Sequence, residues 1–207
     1  MSTWLMALLV YLFVAFLTLV PVVRAWLVPV TLNPGGPGFD EATYFSEAAR
    51  LRLSQNYERI KGTLAFWKHE ATKYERTHIY WMLWIIVLSV SVPVLTQVTR
   101  TYGAEDNFSG IFLTIATTHI ALITSLHKFF KVEPNFKAFR LGESEFYDTY
   151  RRLLDTPNTF GQTEDQQVEK YFELVSLIRK GVRGAETDTY AGLEEVRQAQ
   201  ANRQAAT

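Results

Sequence analysis

The chain contains no cysteine, which excludes disulfides, thiolate nucleophiles and cysteine-ligated zinc, although it does not fix a compartment. Neither charge is in excess. Its 21 lysines and arginines balance 21 aspartates and glutamates, so global charge offers no basis for nucleic-acid binding. Internal repeats and long low-complexity tracts are lacking as well. The most informative absence is local: 1–23, 77–99 and 107–126 carry no Asp, Glu, Lys or Arg. Each run is close to the ~20 residues that a helix needs to cross ~30 Å of hydrocarbon. A soluble helix rarely goes so far uncharged, because one face stays in water. The 48% hydrophobic content and near-zero mean hydropathy look ordinary only because they average these runs with strongly polar segments.

The basic residues give an orientation. Segment 24–76 holds Arg24, Arg50, Arg52, Arg59, Lys61, Lys68, Lys73 and Arg76, and the segment after the third run opens with Lys128, Lys131, Lys137 and Arg140. The connection 100–106 has only Arg100, beside Glu105 and Asp106, and the N-terminus has no basic side chain. The positive-inside rule then puts the N-terminus and 100–106 outside, with 24–76 and 128–207 in the cytoplasm. The rival reading of the first run is a cleaved signal peptide, with small or β-branched residues at Val23-Arg24-Ala25. A signal peptide, however, has a basic n-region and a shorter apolar core. Here the basic residue follows the core, which favours an uncleaved anchor over 1–30.

Between 31 and 39, Pro34 and Pro37 with Gly35, Gly36 and Gly38 predict a helix-breaking linker. It is no phosphate loop, since the GKS/GKT ending is missing. Asp40 is the expected N-cap of a helix running unbroken into the second span. Leu53, Tyr57, Ile60, Leu64, Trp67, Ala71, Tyr74 and His78 alternate in steps of four and three, a heptad seam. Phe129, Val132, Phe136, Phe139, Glu143, Phe146, Tyr150 and Leu153 repeat the pattern after the third span. A short loop makes the second and third spans antiparallel neighbours. Over 40–155 the reading is therefore a long helix, a hairpin (77–99, 107–127) and a return helix. The extensions form a cytoplasmic stalk reaching ~50 Å from the bilayer. Asp155, Pro157, Asn158 and Gly161 end the return helix. Thr163 with Gln166 predicts a capping box for a last helix over 163–181, whose apolar face is Val168, Tyr171, Phe172, Val175 and Ile178. Gly181 and Gly184 are expected to end it, leaving a weakly ordered tail over 182–207.

No catalytic, cofactor or metal site emerges. His69-Glu70 begins an HExxH pattern, but Lys73 stands where the second histidine belongs. His78 and His127 fall at one level on antiparallel neighbours, either as a proton-sensing or metal pair or as two solvated interfacial rings. His119 lies inside the third span, where an ionisable group is a functional candidate; a neutral ring bonded to a nearby Ser or Thr is the plain alternative. Gly110, Thr114, Thr117, Ala121, Thr124 and Lys128 form a stripe of small and polar residues, which either packs helices closely or lines an aqueous path. Pro93 frees a carbonyl and gives a bend or a gating hinge. Glu143, inside an aromatic seam, requires a partner such as Arg59, Lys61 or Lys68.

Several motifs together resemble the SLATT family of bacterial two-transmembrane proteins. They are Asn56-Tyr57-Glu58-Arg59, Trp67, Lys73-Tyr74-Glu75-Arg76 and Tyr80 before an apolar hairpin with Pro93 late in its first arm. After the hairpin come Phe129-Phe130, Phe136, Phe139-Arg140, Gly142-Glu143-Ser144-Glu145-Phe146 and Tyr150. The resemblance covers roughly 45–180. Phe136 and Phe139 stand where the family usually has another aromatic and a tyrosine, Gly142 stands for its alanine, and the N-terminal span is extra. What the resemblance implies is a pore-forming effector of bacterial conflict and phage defence, without a catalytic site and often driven by a nucleotide-sensing partner. The expectation is an all-α inner-membrane protein with three transmembrane helices, a cytoplasmic antiparallel stalk and C-terminal helices. It is expected to act in the lipid bilayer as a homo-oligomeric pore, with a cytosolic regulatory protein as partner and no nucleic acid. A membrane-anchored scaffold or sensor without conductance is the alternative.

Overall fold

The computed structural model describes residues 2–32, 38–102 and 106–187. Among them are helices α1 (Thr3–Leu27), α2 (Glu47–Tyr102), α3 (Asn107–Phe129), α4 (Val132–Asp155) and α5 (Glu164–Thr187). Two single 3-10 turns, Phe39–Glu41 and Pro157–Thr159, complete the order, and the described residues contain no strand. The linker residues Pro34, Gly35, Gly36 and Pro37 and the tail beyond Thr187 lie outside the described residues. The chain divides into two compact units, Met1–Pro29 with Thr72–Glu133 and Val30–Ala71 with Pro134–Thr207, and α2 contributes to each.

In the first unit, α1, α3 and the later part of α2 are long and apolar enough to cross a membrane. Their core is Trp84, Leu88, Ala116 and Ile123, flanked by Tyr11, Ala15 and Ile120. The outward faces are as apolar as the core: Phe13 is 65% exposed, Phe16 70% and Val90 67%. Facing water, such surfaces would forfeit ~25 cal/mol for each Å² left unburied. One polar pair starts two helices together. The Ser2 hydroxyl accepts from the Trp4 amide at 3.2 Å and donates to the Asp106 carboxylate, which accepts from the Phe108 amide at 2.9 Å. Both N-termini are thus capped.

The second unit follows the heptad reading. Leu53, Ile60, Leu64, Trp67 and Ala71 of α2 are buried, as are Phe139, Phe146, Tyr150 and Leu153 of α4. Tyr57 meets Tyr150 at 5.5 Å and Phe66 meets Phe139 at 5.9 Å between ring centroids. The pairing therefore runs in opposite chain directions. Helix α5 closes this core with Val168, Tyr171, Val175, Ile178 and Val182. Its capping box forms as expected. The Gln166 amide donates to Thr163 Oγ1 at 3.4 Å, and the Thr163 amide donates to Gln166 Oε1 at 3.3 Å.

Three boundaries differ from expectation. Helix α2 starts at Glu47, not at Asp40, because Ser46 is the cap: its Oγ accepts from the Ala49 amide at 3.3 Å. Asp40 sits in the preceding 3-10 turn, where its carboxylate accepts from the Ser54 hydroxyl. The return helix is not continuous with the third span. Helix α3 ends at Phe129, Lys131 turns left-handed (φ 46°), and α4 restarts at Val132. Pro134 explains the restart, since its ring would strike the carbonyl four residues back, at Phe130, in an unbroken helix. Phe129 accordingly leaves the seam and is 78% exposed. Finally, α5 passes Gly181 and Gly184 and continues to Thr187.

Two glycines separate local propensity from packing. A Cβ on Gly62 meets nothing within 4 Å, whereas one on Gly142 overlaps Val182 Cγ2 and lies 3.5 Å from Trp67. Gly62→Ala should stabilise the protein by about 1 kcal/mol. Gly142→Ala should destabilise it by ~1–2 kcal/mol, because overpacking outweighs the same helix gain. Thermal melts in detergent read both signs.

Glu164 joins the starts of α2 and α5. Its carboxylate accepts from the Ser46 amide at 2.8 Å and from the Ser46 hydroxyl, and these bonds hold its pKa below the ordinary 4.5. A depressed carboxylate pKa adds stability that is complete above the unfolded value and disappears as pH falls through the folded one. The stability gap between wild type and Glu164→Gln should therefore narrow as pH drops below 4.5. A gap constant with pH in melts would refute this contribution.

Candidate functional site

The candidate residues fall into separate places rather than one pocket. On α3 the buried face is Ser109, Phe112, Ala116 and Ile123. The stripe lies off that face. Gly110, Thr114, Ala121 and Lys128 are exposed, while Thr117 and Thr124 are half-buried. Helices α1 and α2 therefore leave the stripe largely uncovered. Two of its hydroxyls need no outside partner, since Thr114 donates to the Gly110 carbonyl and Thr117 to the Leu113 carbonyl, both at 2.9 Å. Such back-bonding lets a threonine face lipid, another helix or water without an unmet donor.

His119 points the other way. Its Nδ1 is hydrogen-bonded to the Tyr11 phenol of α1, and the Trp84 ring lies 5.3 Å away. Beside it, Trp84 Nε1 donates to Thr18 Oγ1 at 3.1 Å, and Thr18 donates to the Val14 carbonyl at 2.8 Å. The neighbouring hydroxyl that meets His119 is the Tyr11 phenol, not the Ser or Thr that the plain alternative named. Tyr11 and Thr18 are the hydroxyl-bearing residues of the run from Leu5 to Val23, and they mark the face of α1 turned to its neighbours. Sequence reasoning singled out neither.

At one end of this unit the two histidines expected to share a level do meet. His78 Nδ1 and His127 Nε2 are 3.0 Å apart, and Trp81 lies edge-on to His127 at 5.9 Å. One of these two ring nitrogens donates and the other accepts. Among the described residues no cluster of three or more His, Asp or Glu could hold a metal ion. Nearby, Trp26 Nε1 donates to Thr77 Oγ1 at 3.3 Å, and Lys73 Nζ sits 4.4 Å from the Trp26 ring centre. Pro93 lies inside α2, which stays helical through it.

In the second unit Glu143 is buried, and its partners are Arg140 at 3.2 Å and Lys68 at 4.0 Å. Lys68 is one of the three cations the sequence offered; Lys61 pairs instead with Glu58 at 3.1 Å. One turn beyond Glu143, burial pushes the Tyr147 phenol up to about 12, and the Tyr57 and Glu143 charges add to the effect.

The chain matches no family model, and no curated protein or solved structure matches it.

The Glu143 cluster gives a direct measurement. Glu143→Leu removes the carboxylate that Lys68 and Arg140 share, and Lys68→Met removes one of its two compensating cations. Each should lower stability, with Glu143→Leu the larger loss at ~2–3 kcal/mol. The double variant should lose less than the sum, by ~1 kcal/mol or more. Strict additivity would show that the 4.0 Å contact carries no energy.

Proposed function

We propose that the chain is the subunit of a homo-oligomeric membrane pore, a channel-type effector activated through its water-exposed helices. The observation that supports this most is the uncovered stripe of α3. The free side of α3 presents Gly110, Thr114 and Ala121 beside Ile111 and Leu122, with Thr117 and Thr124 half-buried at its edge. Small and hydroxyl side chains there suit contact with other copies around an aqueous path. Under this reading the N-terminus is outside a bacterial inner membrane, and the paired helices of the second unit form a cytoplasmic stalk. Pro93 acts as the hinge. The similarity to SLATT proteins adds the biological setting, conflict or phage defence with a nucleotide-sensing regulator as cytosolic partner. His119, held by Tyr11, positions α1 against α3 and stays out of the path.

A scaffold that docks a cytosolic protein without conducting is favoured by one different observation. In the second unit Leu51 is 59%, Phe66 46% and Leu141 39% exposed, and these are apolar side chains left on a water-facing surface.

The two readings separate in proteoliposomes. For a pore, Thr117→Leu and Thr124→Leu should abolish ion flux while the oligomer keeps its size in detergent. Flux unaltered by both variants would overturn the assignment of α3 as the lining helix. Loss of the oligomer instead would make the stripe a packing seam. A wild-type protein that conducts nothing and co-purifies with a cytosolic protein would support the scaffold.

A further inference from the structure

The second half of α1 carries a feature that pore formation does not use. Along one outward face of this single helix lies an open, shallow apolar groove, formed by Phe16, Leu19, Val20, Val23, Leu27 and Val28 with Arg24 as its single charged group. Phe16 is 70% and Leu27 75% exposed, so nothing in the described residues fills the groove. Arg24 stands in the last turn of α1, exposed and with no ion-pair partner among the described residues. A guanidinium over an uncharged channel is half of a recognition pair. It presents a planar fork of donors that fits a phosphate bidentately, while the channel accepts only hydrocarbon.

From this we infer that the α1 groove binds one anionic glycerophospholipid, with an acyl chain along Phe16–Leu27 and the phosphate on Arg24. The inference rests on the membrane reading of α1. The height is right for a headgroup. Two residues on, Trp26 carries the Lys73 ammonium at 4.4 Å and bonds to Thr77, the aromatic–cationic arrangement of a membrane–water boundary. That end of α1 leads into the basic segment 24–76, which suits an anionic leaflet and disfavours a headgroup carrying its own cation.

The full-length protein in nanodiscs of phosphatidylcholine doped with phosphatidylglycerol gives the test, read by native mass spectrometry of retained lipid. Wild type should keep one phosphatidylglycerol in preference to phosphatidylcholine. Arg24→Gln should lower that retention roughly tenfold, the worth of one charged hydrogen-bonded contact. Val20→Trp, which fills the channel and leaves Arg24 in place, should lower it too. Both variants should melt like wild type in pure phosphatidylcholine, so that a folding defect is recognised. Equal retention of the two lipids, or phosphatidylglycerol retained fully by Arg24→Gln, overturns the site. So does displacement of the lipid's effect by inorganic phosphate alone, which would make Arg24 a simple anion contact. Because the chain lacks cysteine, Val23→Cys reports the competing occupant, and efficient disulfide-linked dimers would show that a second copy covers the groove instead. Failure of the membrane reading looks different: the protein would stay dissolved without detergent and never enter the discs.

Discussion

A helix apolar enough to cross a membrane would find no water there to satisfy a polar group, and the polar side chains of the first unit fit that constraint. Helices meet it for the backbone. For side chains the solution is visible residue by residue. Thr18, Thr77, Thr96, Thr99, Thr114, Thr117 and Ser125 each donate to the carbonyl four positions back, at 2.8–2.9 Å. Indole and imidazole nitrogens cannot bond to their own helix in this way, so they bond across. Trp84 reaches Thr18, Trp26 reaches Thr77, His119 takes Tyr11 and His78 takes His127. Each threonine hydroxyl that serves an indole has also discharged its own proton onto its helix. The cross-bonds hold three helices together where apolar faces gain little from one another, because lipid tails are as apolar as the side chains.

The second unit is held by the opposite logic. Its seam of Leu53, Leu64, Phe146, Leu153, Val168 and Tyr171 is nearly sealed from solvent, and each large apolar side chain contributes on the order of 1.5–3 kcal/mol. One charge enters that core: Glu143 is buried and is held by Arg140 and Lys68. The Gly142 contact shows how closely α5 approaches α4. Val182 occupies the space where a side chain would start, and Val182 is itself 1% exposed and has nowhere to go. That contact also accounts for α5 continuing past Gly181. The chain has an apolar surface to bury for another turn, and burial outweighs the ~1 kcal/mol that each glycine costs a helix.

Periodicity and composition made most of this legible. The charge-free runs gave the three candidate spans, the four-three spacing gave the buried faces of α2 and α4, and the Thr163–Gln166 spacing gave a cap that forms as read. What escaped was non-local or overlooked. The start of α2 depends on Ser46, which is fixed by Glu164 from far along the chain, and no window around Asp40 contains that partner. The break between α3 and α4 was within reach, because Pro134 forbids an unbroken helix there, but the seam of Phe129, Val132 and Phe136 ran across it. Tyr11 was hidden for a different reason: in a uniformly apolar run, periodicity cannot say which face turns inward.

The two polar features of the candidate spans that looked alike in sequence are separated by where their polar atoms point. His119 has its ring nitrogen spoken for by Tyr11 and lies beside Trp84, so the cost of burying it is met within the chain. Thr114 and Thr117 of the stripe are also satisfied, but on their own helix, and such hydroxyls ask nothing of their neighbours. A group that needs a partner fixes structure. One that is content alone can face lipid, a sister helix or water with little change in energy. That indifference is what a surface lining a gated path requires, because it must be covered when the path is closed and wet when it is open. The second state adds water as a hydrogen-bond partner without breaking the bonds that held the first.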